Sequence, residues 1–223
     1  MLKTNTTLAE IHVMKITNPK DLFNNLAKEY QDKFMDFDLY YDTFDLLCNL
    51  IETKNASVLE IGCGPGNISK YLLNKRPDFN LLGIDIAPNM IKLAKNNNPT
   101  ATFKLMDCKN ILQLKAKFDA IVCGFTLPYL NKKEAFKLIE DASELINPNG
   151  LLYVSTMEDD YEKSKIITRS DDKSIGLFTY YHQADYLTER LQQKGFKIVH
   201  LERKDFPDAK DSSKDLIIIA IKD

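Results

Sequence analysis

The stretch that decides the fold is VLEIGCGPGNISKYL, residues 58–72. Val58-Leu59-Glu60-Ile61 is an apolar run interrupted by one carboxylate. Gly62, Gly64 and Gly66 follow at alternate positions, and apolar residues then resume at helical spacing. The chain holds 8 glycines in 223 residues, and three fall within these five positions. Such crowding marks a strand turning sharply into a helix, with bare backbone left open for close approach.

Downstream, the same texture repeats. FNLLGID, ATFKLMD, FDAIVCGF and LLYVST read as further buried strands after SVLEIG. Helical runs separate most of them: Pro88 opens PNMIKLAKNN, and Asn131 with Glu134 forms a capping box for a helix lined by Ala135, Ile139, Ala142 and Leu145. Pro148-Asn149-Gly150 is expected to end that helix. Five buried strands joined by helical crossovers predict a parallel sheet covered on both faces. The tail departs from this rule. After a helix over 184–194 and Gly195, FKIVHLE and DLIIIAIK follow with no helix between them, so they should pair antiparallel.

Upstream, residues 19–54 read as helical. Pro19 can open a helix behind Asn18, with Leu22, Phe23, Leu26, Tyr30 and Phe34 on one face; Tyr40, Tyr41, Phe44, Leu47, Leu50 and Ile51 mark a second run. The expected organisation is a helical cap over 1–54 and an α/β domain over 55–223, with a variable insertion at about 157–182. That insertion contains Tyr161, Arg169, Phe178, Tyr180 and Tyr181. A net charge of -2 gives no electrostatic reason to expect nucleic acid. Cys48, Cys63, Cys108 and Cys123 are scattered, with no CxxC pair and no histidine at zinc-ligand spacing. Reduced thiols and the lack of a signal-like or membrane-length apolar run set the expectation of a cytoplasmic protein without a membrane or metal partner.

A glycine turn after the first strand of such a sheet serves nucleoside triphosphates, dinucleotides or S-adenosylmethionine. A P-loop would need Gly-Lys-Ser/Thr, which Asn67-Ile68-Ser69 does not offer, and the dinucleotide fingerprint would need glycine at Asn67. Glu60, two residues before Gly62, would repel a phosphate but favour a sulfonium and an ammonium. The stretch resembles the first motif of the class I S-adenosylmethionine-dependent methyltransferases. The resemblance extends through LLGIDIAPNMIKLAK, ATFKLMDCKN, FDAIVCGFTLPYL, ELINPNGLLYVST and YLTERLQQKGFKIV, over roughly residues 20–222. It implies a Rossmann-like, seven-stranded, mostly parallel sheet with helices on both faces and an antiparallel last strand.

The resemblance also implies roles. Asp85, ending the second strand, would accept the ribose hydroxyls, and Ile86 and Met90 would flank the adenine. Asp107 would accept from the adenine amino group while the Cys108 backbone N–H reaches a ring nitrogen. Gly62, Cys63 and Gly64 form the turn against the cofactor, Cys123 lies beside its methionine moiety, and Tyr30 on the N-terminal aromatic helix would cap it. Phe125, Tyr129 and Tyr180 are the expected acceptor-pocket residues. His182 in TYYHQ is the candidate base; His12 and His200 attract no role.

Methyl transfer from a sulfonium asks mainly for alignment and exclusion of water, so no fixed catalytic residue is required. FTLPYL departs from the Asn-Pro-Pro-Tyr pattern of enzymes that methylate exocyclic amines of nucleic-acid bases, which with the unremarkable charge argues against a DNA adenine substrate; an aromatic-lined pocket suits a small-molecule acceptor without naming it. Two rival classes remain at this stage. One is a non-catalytic subunit that binds the same cofactor. The other is an NAD(P)-dependent reductase, for which the Tyr-x-x-x-Lys strings at Tyr71–Lys75 and Tyr129–Lys133 are poorly placed.

Overall fold

The computed structural model describes residues 15–168, 174–207 and 212–223. Its centre is a seven-stranded sheet. The strands are β2 (Ser57–Ile61), β3 (Asn80–Asp85), β4 (Thr102–Leu105), β5 (Phe118–Gly124), β6 (Ile146–Glu158), β9 (Phe196–Lys204) and β10 (Lys214–Lys222). Their spatial order is β4-β3-β2-β5-β6-β10-β9. Five strands run parallel, and β10 lies antiparallel to both β6 and β9; the link from Lys204 to Lys214 is too short for a parallel crossover between β9 and β10.

Alternation along the strands builds two cores. Leu59, Ile61, Ile121, Val154, Leu216 and Ile218 face α6 (Lys132–Leu145) and α7 (Ala184–Gln193). Val58, Ala120, Val122, Tyr153, Ile217 and Ile219 face α3 (Tyr41–Leu50), α4 (Asn67–Lys75) and α5 (Pro88–Asn97). Sheet faces buried on both sides explain why these strands read as near-continuous apolar runs. The capping box of α6 is complete: the Glu134 N–H donates to Asn131 Oδ1 at 3.0 Å, and the Asn131 N–H donates to Glu134 Oε2 at 3.0 Å. That helix ends at Leu145, before the expected Pro148-Asn149-Gly150 stop. Pro148 disfavours helical backbone at the residue before it, and Ile146 is already extended and paired with Phe118.

The N-terminal segment divides in two. In α3, Phe44, Leu47 and Cys48 are buried in the same cluster as Val58 and Leu81, so this helix belongs to the sheet's covering layer rather than to a cap. The remainder, α1 (Pro19–Asn25) and α2 (Ala27–Phe34), breaks at Leu26 and rests on α5. There the Asn89 N–H donates to Asn24 Oδ1 at 2.9 Å, and Ala27 packs with Ala87 and Met90. A three-stranded sheet absent from the sequence reading ties this segment to the insertion. β1 (Lys15–Thr17) pairs parallel with β8 (Ile175–Thr179), which pairs antiparallel with β7 (Lys165–Thr168).

Candidate active site

The strand order reverses between β2 and β5, and open sheets of this kind bind ligands beyond the carboxyl ends at that point. A cavity of about 450 Å³ lies there. Its floor comes from the strand ends: Gly62 and Gly64 after β2, Asp85 and Ile86 after β3, Met106 to Lys109 after β4, and Gly124 to Thr126 after β5. Its roof comes from Asn18 to Lys20, Phe23 and Tyr30, with Tyr129 closing the side. The Phe23 ring meets Tyr129 at 5.0 Å and Tyr30 at 6.0 Å between centroids, both edge-on.

The turn is shaped by its glycines at two positions. Gly62 has φ +67°, and a Cβ there would collide with Thr126 Oγ1, whose hydroxyl donates to the Ile61 carbonyl at 3.1 Å. Gly66 has φ +82° and would collide with the Asn98 side-chain amide that donates to its own carbonyl at 3.0 Å. These conformations favour glycine, and at Gly62 they keep backbone bare toward the cavity.

Asp85 closes the turn from the neighbouring strand. Its Oδ2 accepts the Gly64 N–H at 2.9 Å and its Oδ1 accepts the Ala87 N–H at 2.8 Å. Burial nevertheless raises its pKa above the usual carboxylate range, against the lowering effect of those donors. A carboxylate offers about four acceptor positions, so Asp85 keeps capacity for a further donor beside these backbone groups. Asp107 starts the turn after β4, where its side chain accepts the Lys109 N–H at 2.9 Å. Two carboxylates on adjacent strand ends, beside bare glycine backbone, suit a ligand that brings hydroxyl and amino donors.

Residues 25–201 match the methyltransferase-domain family. The chain belongs to the class I S-adenosylmethionine-dependent methyltransferases. A candidate methyltransferase of Invertebrate iridescent virus 6 is 30% identical over 73% of this chain and 65% of its own length. The tRNA N(3)-methylcytidine methyltransferase of Schizosaccharomyces pombe is 23% identical over 72% of each chain. Among solved structures, the magnesium protoporphyrin IX methyltransferase of Synechocystis PCC 6803 with bound S-adenosylmethionine shares the fold. Its TM-score is 0.69 at 18% identity, over 92% of this chain and 95% of that one. The chain spans less than two thirds of the length of the first curated relatives it matches. The cofactor of the family is S-adenosylmethionine, and the bare glycine backbone and the carboxylates of Asp85 and Asp107 fit it. The Tyr-x-x-x-Lys strings have other work: the Tyr71 hydroxyl donates to Asp45 at 2.7 Å, and Tyr129 lies in a short turn on the cavity wall.

Of the residues expected at the site, the fold brings Tyr30, Gly62, Gly64, Asp85, Ile86, Met90, Asp107, Cys108, Phe125 and Tyr129 to the cavity. The others lie off it. Glu60 is buried behind the glycine turn, where Ser69 Oγ on the first turn of α4 donates to its Oε2 and its Oε1 has no hydrogen-bond partner among the described residues. Burial pushes this carboxyl up to about 8. Cys63 is a core residue packed with Phe103, and Cys123 is buried on the opposite face among Ile121 and Val154. The Tyr180 ring stacks on Tyr161 at 6.0 Å and contacts Phe178, rather than facing the cavity.

His182 is fully buried, and both ring nitrogens are engaged. Nε2 lies 3.0 Å and 3.1 Å from the carbonyl oxygens of Leu127 and Leu130, so it carries the proton and donates; Nδ1 then accepts from the Tyr186 hydroxyl at 2.9 Å. Burial lowers its pKa, keeping the ring neutral. The expected base role therefore finds no support: the histidine braces the turn that carries Tyr129. His12 and Arg169 lie outside the described residues. Sequence reasoning missed Lys20, Phe23, Lys109 and Thr126 at the cavity. Phe23 carried a signal, since it shares the apolar helical face of Tyr30.

Proposed function

We propose that the protein transfers the methyl group of S-adenosylmethionine to a small-molecule acceptor inside the roofed cavity. The observation that carries this reading is the enclosure itself. A cavity of about 450 Å³, within the range of small-ligand sites, lies between the strand ends and an aromatic roof that partly covers it. The net charge of -2 supports the same choice over a tRNA acceptor, for which phosphate contacts would call for a basic surface. When bound, the cofactor supplies a methyl carbon on a positively charged sulfur, a leaving group that needs no acid.

The chain's own residues then have four tasks. Asp85 accepts from the ribose hydroxyls, and Asp107 and the Cys108 N–H hold the adenine edge. Met90 and Ile86 provide apolar walls for the base. Gly62, Gly64 and Gly124 let backbone approach the methionine portion. The α1–α2 segment, through Phe23 and Tyr30, acts as the lid that excludes water. Glu60 acts indirectly, by holding Ser69 and thus the helix that follows the turn. The unpaired state of all four cysteines supports a reducing, cytoplasmic setting, and no described helix is long and apolar enough to cross a membrane. A screen of metabolite pools with methyl-labelled cofactor tests the reading. Label should move to a low-molecular-mass product; transfer only to RNA or protein would refute the acceptor class.

A further inference from the structure

A series of ring contacts joins the roof of the cavity to its opposite wall. Tyr30 meets Phe34 at 4.6 Å between centroids, and Phe34 meets Phe37 at 5.8 Å. Phe37 meets Tyr40 at 5.8 Å, and Tyr40 meets Phe125 at 5.1 Å. Tyr30 and Phe125 line the cavity, whereas the three rings between them do not.

Phe125 ends the series in an unusual backbone. Its φ is +49°, a left-handed conformation that a bulky residue enters at a cost and keeps only where its surroundings hold it. The Phe125 N–H donates to both the carbonyl and the hydroxyl of Ser155 on β6, each at 3.1 Å, and the ring rests on Tyr40. Tyr40 immediately precedes α3, where the chain passes from the lid to the core layer. One side chain thus backs a wall residue and sits at the root of the roof.

Tyr40 is itself fixed by a group far away in sequence: its hydroxyl donates to Asp215 Oδ2 at 2.6 Å. β10 runs antiparallel to β6, which puts Asp215, near its start, at the cavity end of the sheet opposite Met157. The carboxylate is buried, and among the described residues Tyr40 is its side chain's one hydrogen-bond partner. Its cross-strand neighbour Lys204 is engaged elsewhere, by Asp42 at 2.6 Å and Glu202 at 3.2 Å. The next positions of β10, Leu216 to Ala220, are all apolar. A buried carboxylate held by one phenol costs stability relative to an apolar pair of similar shape, so the stability of the fold does not account for it. What the bond supplies is a fixed position for the Tyr40 ring.

We propose that Asp215 is a positioning residue for cofactor retention: through Tyr40 it holds Phe125 in the cavity wall and the root of the α1–α2 lid over the bound cofactor. This rests on the cofactor placement proposed above.

Calorimetry with S-adenosylhomocysteine, a chase of the labelled compound, and urea unfolding test the proposal on the full chain. Tyr40→Phe/Asp215→Leu replaces the polar pair by apolar groups. Its unfolding free energy should equal or exceed that of the wild type, yet it should bind S-adenosylhomocysteine roughly threefold to tenfold more weakly. The loss should lie in a faster dissociation rate, since the roof must lift for the ligand to leave. Asp215→Asn keeps an oxygen that accepts the Tyr40 hydroxyl and should stay within about twofold of the wild-type affinity. Unchanged affinity in the double variant would overturn the proposal. So would an affinity loss matched by lost stability, which would make the pair merely structural, or an Asp215→Asn protein as weak as the double variant. Failure of the wild type to bind S-adenosylhomocysteine would overturn it together with the cofactor placement on which it rests.

Discussion

Glu60 offers a test of how the glycine turn is held, through the dependence of stability on pH. The carboxyl is buried with one oxygen unpartnered among the described residues, and burial raises its pKa from 4.5 to about 8. The folded state therefore binds a proton that the unfolded chain releases. The stabilisation is fully present below about pH 4.5, declines as pH rises through the interval, and is lost above about 8. At about 1.4 kcal/mol per pKa unit, that shift sets a ceiling of roughly 5 kcal/mol on the change. Glu60→Gln keeps the shape and removes the titration. Urea unfolding of both proteins at a series of pH values isolates the effect, because the other titrating groups contribute nearly equally to each. The variant should gain on the wild type steadily as pH rises from 5 to 8. A difference independent of pH, or a variant that loses ground as pH rises, would refute the reasoning and mean that Glu60 is ionised and well paired in the native protein.

Other outcomes follow from the same geometry. Gly62→Ala puts a Cβ against Thr126 Oγ1 at φ +67°; it should cost about 1–3 kcal/mol of stability and weaken cofactor binding, read by thermal unfolding and calorimetry. His182→Ala strands two buried carbonyls and a tyrosine hydroxyl, so it should lower unfolding free energy by about 2–4 kcal/mol. A stable His182→Ala protein with lost turnover would restore the base role. Deleting residues 1–36, which leaves α3 in the core, should preserve a cooperative unfolding transition and abolish most cofactor affinity; unchanged affinity would show that α1 and α2 are not a lid.

Most of the sheet was legible because its strands are buried on both faces and its turns carry strong local signals. Asn131 and Glu134 specify a helix start by their own side chains, and Gly62 requires a backbone few other residues adopt. The strand-end placement of Asp85 and Asp107 beside the cavity was legible for the same reason, since that pattern fixes where β3 and β4 end. The small sheet was not. β1 is three residues long, and its partner β8 lies some 160 residues away in sequence, so neither carries a period that names the other. Tyr180 and His182 were misplaced by the same limit. Their neighbours, Tyr161 for one and Leu127 and Leu130 for the other, come from distant segments whose approach depends on the completed fold. The split of the N-terminal helices was also hidden, because Phe23 and Phe44 look alike in sequence while one roofs a cavity and the other fills a core.

The central claim is that the cavity at the strand ends holds S-adenosylmethionine through Asp85. Its most direct test is calorimetric titration of S-adenosylhomocysteine into the wild-type protein and into Asp85→Ala. The wild type should bind at one saturable site, and the variant should lose about 1.5–3 kcal/mol, roughly a tenfold to hundredfold weakening, with the charge-assisted ribose contact. No binding by the wild type, or equal affinity in the two proteins, would contradict the account.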